Sequence, residues 1–100
     1  LQGASRYALI VSPDCGECPE LLEQRIDSMM TEATEGVDVH VVGTGNDDEV
    51  LRRWVAAQPA LIAALKSGRA TVNHGNQFRD LSQFPAIYSK TGSGQWVREL

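Results

Sequence analysis

Cysteine, clustered basic residues and long apolar runs are all scarce in this chain, and each scarcity argues against a class of protein. The longest mainly apolar runs, Tyr7–Val11 and Ala60–Leu65, are far too short to span a bilayer. Lysine and arginine number 9 against 13 aspartates and glutamates, a net charge of −4 with no basic cluster, which argues against a nucleic-acid face. No secretory signal is visible. The chain opens at Leu1 and not Met, so it reads as a processed or excised domain whose targeting segment would lie outside it. Its 100 residues suit one domain with a single modest core, residues 1–6 being read as a disordered or expression-derived start. The two cysteines, Cys15 and Cys18, make a poor structural staple. A bridge stabilises chiefly by closing a long loop in the unfolded chain, and only Gly16 and Glu17 lie between them.

What is present is an ordered alternation of strand and helix patterns. Tyr7–Val11 is a continuous apolar run bounded by Ser12-Pro13 and predicts a buried strand. Over Glu20–Ala33, Leu22, Ile26, Met29, Met30 and Ala33 recur at helical spacing, with Cys18 one turn before Leu22 on the same face and Gly36 as terminator. Val37–Val42 is rich in β-branched residues and predicts a second strand, so strand, helix and strand suggest a right-handed parallel unit. After the loop Gly43-Thr44-Gly45, Asn46 and Glu49 resemble a capping box opening a helix with Val50, Leu51, Trp54 and Val55 on one face. Pro59 interrupts or restarts the helix, Ala60–Lys66 continues it, and Gly68 closes it.

Residues 70–84 are the least legible. Ala70-Thr71-Val72 predicts a short strand and Asn73-His74-Gly75-Asn76 a turn. Pro85–Tyr88 and Gln95–Arg98 flank Gly92-Ser93-Gly94 and predict a β-hairpin. Trp54, Trp96, Met29 and Met30 read as packing residues. Asp47-Asp48-Glu49 reads as a charged first helical turn, and Gly43-Thr44-Gly45 lacks the lysine of a phosphate loop. A closed zinc site needs four ligands. With His40 in an apparent strand, His74 in an apparent turn and no second CxxC, no metal site is assigned.

The segment "SPDCGECPELL" therefore carries the chemistry. A CxxC between a strand and a helix in a βαβ unit is a redox signature. Cys15 at the helix N-terminus would have its thiolate favoured by the macrodipole and unpaired N–H groups, while Cys18, facing the core, would resolve a mixed disulfide. With "CGEC" followed by "FPAIY" before the last hairpin, the chain resembles the thioredoxin-like superfamily. The likeness runs from about Tyr7 to Val97. It implies an α/β thioredoxin-like fold, a central mixed β-sheet flanked by helices, and thiol–disulfide oxidoreductase activity on protein thiols and disulfides. It also implies a cis peptide bond at Pro85, with Phe84 and Pro85 docking an extended substrate backbone. No cofactor is implied, because the disulfide carries the two electrons. The pattern of "CGEC", "VVGTG", "RW", "VNHG" and "FPAIY" is similar also to thioredoxin-like proteins of bacterial integrating conjugative elements. That narrower likeness implies the periplasm and a conjugative type IV secretion apparatus as partner.

The chain departs from the superfamily pattern in several places. Asp14 stands where an aromatic residue is usual, Gly16-Glu17 replaces Gly-Pro, the first strand has no buried acid, and the last helix is missing or cut away. Asp14 and Glu17 put negative charge beside Cys15, which disfavours its thiolate. A potential nearer that of thioredoxin, about −270 mV, than that of the strong oxidants near −120 mV is therefore expected. The alternative expectation is a non-catalytic thioredoxin-like binding module that assists the same apparatus, its disulfide inert.

Overall fold

The structure is a computed structural model; residues 5–32, 35–78, 80, 81 and 83–99 are described. Among the described residues nine elements follow in chain order: β1 (Arg6–Val11), α1 (Cys18–Glu32), β2 (Gly36–Val41), α2 (Asp48–Ala56), α3 (Pro59–Lys66), β3 (Ala70–His74), a short 3-10 turn (Asn76–Phe78), β4 (Ala86–Lys90) and β5 (Trp96–Arg98). The five strands form one mixed sheet in the order β3-β2-β1-β4-β5. β1 and β2 are parallel with Leu9 opposite Val39, and β2 and β3 are parallel with Val39 opposite Val72. β4 runs antiparallel to β1 with Leu9 opposite Ile87, and β5 antiparallel to β4 with Ser89 opposite Val97.

This order decides where the helices lie. The crossover from β1 to β2 and that from β2 to β3 step across the sheet in the same direction. A right-handed crossover then puts α1 on the same face as α2 and α3. The packing agrees. Tyr7, Leu9, Val11, Val37, Val39, Val41 and Ile87 form one core with Cys18, Leu22, Ile26 and Met29 of α1 and with Leu61 and Ala64 of α3. Leu51, Trp54 and Val55 of α2 pack against it. Each large aliphatic side chain sealed there contributes roughly 1.5–3 kcal/mol. The opposite face has a much smaller cluster, Ala8, Ile10, Val42 and Ala86, covered by Phe78, Leu81, Phe84 and Tyr88. The expectation of a sheet flanked by helices is thus met on one face; none of the three helices contributes to the other.

Several boundaries differ from the sequence reading. The helix expected from Glu20 starts at Cys18, and Ala33, expected on its apolar face, lies outside the described residues. Gly36 does not terminate α1. It opens β2 with φ +118°, and a Cβ there would sit 2.3 Å from the Arg69 carbonyl oxygen, so only glycine allows β2 and β3 to approach. Asp47, not Asn46, caps α2: its carboxylate accepts the Glu49 N–H at 2.9 Å. Asn46 has φ +59°, outside the extended backbone that a cap needs. Pro59 occupies the first turn of α3, where its missing N–H costs nothing. β3 continues through His74, and the turn begins at Gly75, whose N–H donates to Val41 O at 2.8 Å. Trp54 packs as expected, whereas Trp96 lies on the sheet edge and is 47% exposed. Of the start expected to be unordered, residues 1–4 lie outside the described residues. Ser5 is hydrogen-bonded to Lys90 O, and Arg6 begins β1.

Candidate functional site

One end of the sheet collects the segments singled out by the sequence. β1, β2 and β3 are parallel, so the loops that follow them emerge at the same end, and antiparallel β4 begins there. The turn after β1 is held by its own backbone. Cys15 N–H donates to Ser12 O at 3.0 Å, Asp14 N–H to Ser12 Oγ at 3.3 Å, and Cys18 N–H to Cys15 O at 3.3 Å. Leu21 N–H donates to Glu17 O at 3.0 Å, the first turn of α1.

Cys15 and Cys18 are joined as a disulfide with their Cα atoms 5.4 Å apart. They are not equivalent. Cys18, the first residue of α1, is fully buried in the helix-side core, whereas Cys15, in the turn before the helix, is half-buried. The expectation that Cys15 stands at a helix N-terminus with Cys18 facing the core is met, with the helix beginning at Cys18 itself. Asp14, Gly16 and Glu17 are exposed around the pair. A Cβ on Gly16 would meet nothing, so space alone does not require glycine there.

The Phe84–Pro85 peptide bond is cis and immediately precedes β4. Both residues are half-buried, and Phe84 packs against both cores. Beside them runs an open groove of about 730 Å³ lined by Glu17, Glu20, Leu21, Gln24, Gln83, Phe84 and Pro85. Three expected site residues, Glu17, Phe84 and Pro85, therefore meet in one groove. Asp14, Cys15, Gly16 and Cys18 are not among its walls; the groove adjoins the pair through Glu17, which lies between the two cysteines in the chain. Glu20, Leu21 and Gln24 were not anticipated as site residues. The i+3, i+4 and i+7 spacing of Glu20, Leu21 and Gln24 from Glu17, just ahead of α1, is the signal that places them together.

Other polar groups are occupied elsewhere. His74 Nε2 pairs with Asp48 Oδ1 at 2.7 Å and Nδ1 pairs with Thr44 Oγ1, which ties the β2–α2 loop to the end of β3. His40 lies on the helix-free face, tilted against Phe78 with ring centroids 5.0 Å apart. Its Nδ1 is buried without a partner, and burial lowers its pKa, partly opposed by Asp38. His40 and Phe78 line a cavity of about 430 Å³ with Ala8, Ile10, Asp38, Tyr88 and Trp96. Among the described residues no three His, Cys, Asp or Glu side chains converge as metal ligands, and no helix is long and apolar enough to cross a membrane. No family model matches the chain, nor does any curated protein or solved structure at the threshold applied.

Proposed function

We propose that this chain is a thioredoxin-like thiol–disulfide oxidoreductase acting on protein substrates through Cys15 and Cys18. The observation that carries the reading is the asymmetry of the pair. A half-buried Cys15 in front of α1 is bonded to a fully buried Cys18, next to a groove walled by Glu17 and the Phe84–Pro85 segment. The strand order supports the same reading, since it brings the start of β4 to the end of the sheet where β1 delivers the CxxC.

In the exchange, a substrate thiolate attacks Sγ of Cys15. The Cys15–Cys18 bond breaks, Cys18 leaves as a thiolate, and a mixed disulfide joins the substrate to Cys15. A second substrate thiolate then attacks the substrate sulfur of that bond and expels Cys15. The substrate dithiol loses two electrons and two protons, and the cysteine pair gains them. The reverse sequence reduces a substrate disulfide, with reduced Cys15 as nucleophile and Cys18 resolving. The backbone of Phe84, ahead of β4, would align an extended peptide by strand-like pairing. The carboxylates of Asp14 and Glu17 disfavour a thiolate on Cys15, which sets the expected potential toward the reducing end, about −270 mV.

A redox titration of the pair in thiol/disulfide buffers, read by alkylation and mass, tests the reading. A reversible two-electron transition with a midpoint between about −280 and −120 mV is expected. A pair that stays oxidised far below that range makes the disulfide structural. The second reading, a non-catalytic binding module, then takes over. It is favoured by the helix-free face with its cavity and by exposed Trp96 and Val97 at the sheet edge. The resemblance to proteins of integrating conjugative elements extends either reading to a periplasmic protein working beside a conjugative secretion apparatus. Fractionation of cells carrying the full gene, with spheroplast release as the measure, checks the location.

A further inference from the structure

We propose that the groove beside Cys15–Cys18 selects peptides whose cysteines are flanked by lysine or arginine. The inference rests on the exchange reading and adds a substrate class to it.

The walls of the groove combine an apolar floor with a charge of one sign. Leu21, Phe84 and Pro85 supply the apolar surface, Glu17 and Glu20 the carboxylates, and Gln24 and Gln83 neutral amides; among the described residues no basic side chain lines it. The bias extends beyond the groove. Between Ser12 and Gln24 the chain has four acids, Asp14, Glu17, Glu20 and Glu23, and no base. All four are exposed. The ion pairs among the described residues, Arg6–Asp38, Arg52–Glu49 and His74–Asp48, involve none of them. Glu20 Oε1 accepts a hydrogen bond from Gln24 Nε2 at 3.1 Å, and that neutral partner leaves its charge in place.

The attacking species in disulfide exchange is itself an anion. A thiolate approaching Cys15 enters a field of carboxylates, and the Coulomb cost falls on the encounter and on the mixed-disulfide step alike. A substrate that brings a cation within a residue or two of its cysteine reverses the sign. The Debye length is about 8 Å at physiological ionic strength, so the effect reaches the residues flanking the cysteine and little further. The apolar floor accepts the stem of such a side chain while its head meets Glu17 or Glu20. The occupant is therefore an extended cationic cysteine peptide, in contrast to an acidic one or an anionic small thiol.

The test uses the oxidised chain and two dithiol peptides of equal length, cysteines flanked by lysine in one and by glutamate in the other. Each peptide's oxidation rate is divided by its rate with a small uncharged disulfide, which removes differences in intrinsic thiolate reactivity. Dithiothreitol serves as a charge-free control. At about 20 mM salt the lysine peptide is expected to be favoured about tenfold, the lower end of electrostatic steering. The ratio should fall toward one at about 1 M salt, where the Debye length is near 3 Å. It should also fall by most of its value in the Glu17→Gln, Glu20→Gln double variant at low salt. A low-salt ratio near one, with both peptides oxidised, overturns the inference and leaves the exchange reading standing. So does a ratio that survives both high salt and the double variant. If dithiothreitol reduces the pair but neither peptide is oxidised, the exchange reading fails and the inference falls with it.

Discussion

Replacing Gly36 by alanine tests the pairing that brings β3 onto the sheet. Gly36 has φ +118°, and an added Cβ would lie 2.3 Å from the carbonyl oxygen of Arg69. That oxygen accepts the Val37 N–H at 2.9 Å, so the clash falls on backbone that a rotamer change cannot relieve. The positive φ costs an alanine about 1–2 kcal/mol. Forcing the two strands apart adds roughly 1–3 kcal/mol of packing strain, and the lost hydrogen bond about 1 kcal/mol. The sum, about 3–6 kcal/mol, is a large share of the roughly 5–15 kcal/mol that stabilises a typical domain. Gly45→Ala is the control. Gly45 has φ +63° with nothing within 4 Å of an added Cβ, so only the backbone penalty of about 1 kcal/mol applies. Urea unfolding followed by far-ultraviolet circular dichroism measures both. A Gly36→Ala loss no larger than that of Gly45→Ala would refute the close approach of β2 to the Arg69 carbonyl.

Three further outcomes are expected. In the reduced protein under native conditions, Cys15 should be alkylated at least about tenfold faster than Cys18, because only Cys15 is accessible; peptide mass mapping after a short pulse reads the ratio, and equal rates contradict the assigned roles. Asp38 is held below the usual carboxylate range first by its hydrogen bond from Arg6, with bonds at 2.6 and 2.7 Å, and then by Thr71 against the opposing effect of burial. Its stabilisation is present above about pH 4 and is lost as pH falls through the depressed value, so Asp38→Asn should flatten the acid limb of the urea-midpoint profile and cost about 1 kcal/mol at pH 7. His40 has its pKa lowered by burial, so the unfolded chain takes the proton first. Stability should then decline as pH drops below about 6.5, and a profile unchanged in His40→Gln between pH 7 and 5 would contradict that burial.

The parts of this fold legible in the sequence are those encoded locally. The apolar run Tyr7–Val11, the four-residue spacing of Cys18, Leu22 and Ile26 and the glycine-centred hairpin each carry their own period, and each element forms over that stretch, with β1 starting one residue and α1 two residues earlier than expected. What was missed depends on a partner. β3 extends through His74 because Asn73 and His74 find His40 and Val41 opposite them, which no pattern within residues 70–76 announces. The cap of α2 moves from Asn46 to Asp47 because Asn46 takes the left-handed turn, a choice made by the loop and not by the capping residues. Of the site, the cysteine pair and the Phe84–Pro85 segment were visible as motifs. The third wall, Glu20, Leu21 and Gln24, was visible only as a helix face without an assigned neighbour.

The helix-free face follows from strand order, and its surface follows from the face. A strand with one face on a core and the other toward solvent alternates apolar and polar residues, whatever the direction of its neighbours. β2 obeys that rule, with Val37, Val39 and Val41 toward the helices and Asp38 and His40 away from them. β1 does not: Ala8 and Ile10 are apolar on the helix-free side too. The difference lies in what returns over them. Phe78, Leu81 and Phe84, on the segment between β3 and β4, cover Ile10 and its neighbours at the end of the sheet that carries the cysteines. Beyond their reach, Arg6, Asp38 and Thr71 lace β1, β2 and β3 together with charge-assisted bonds that tolerate water. Between the covered and the laced regions lie the unpartnered Nδ1 of His40 and the cavity, which Phe78 of the covering segment and Asp38 of the laced region both line. The segment that shields this face also ends in Phe84–Pro85, so the wall of the proposed substrate groove and the lid of the second core are one piece of chain.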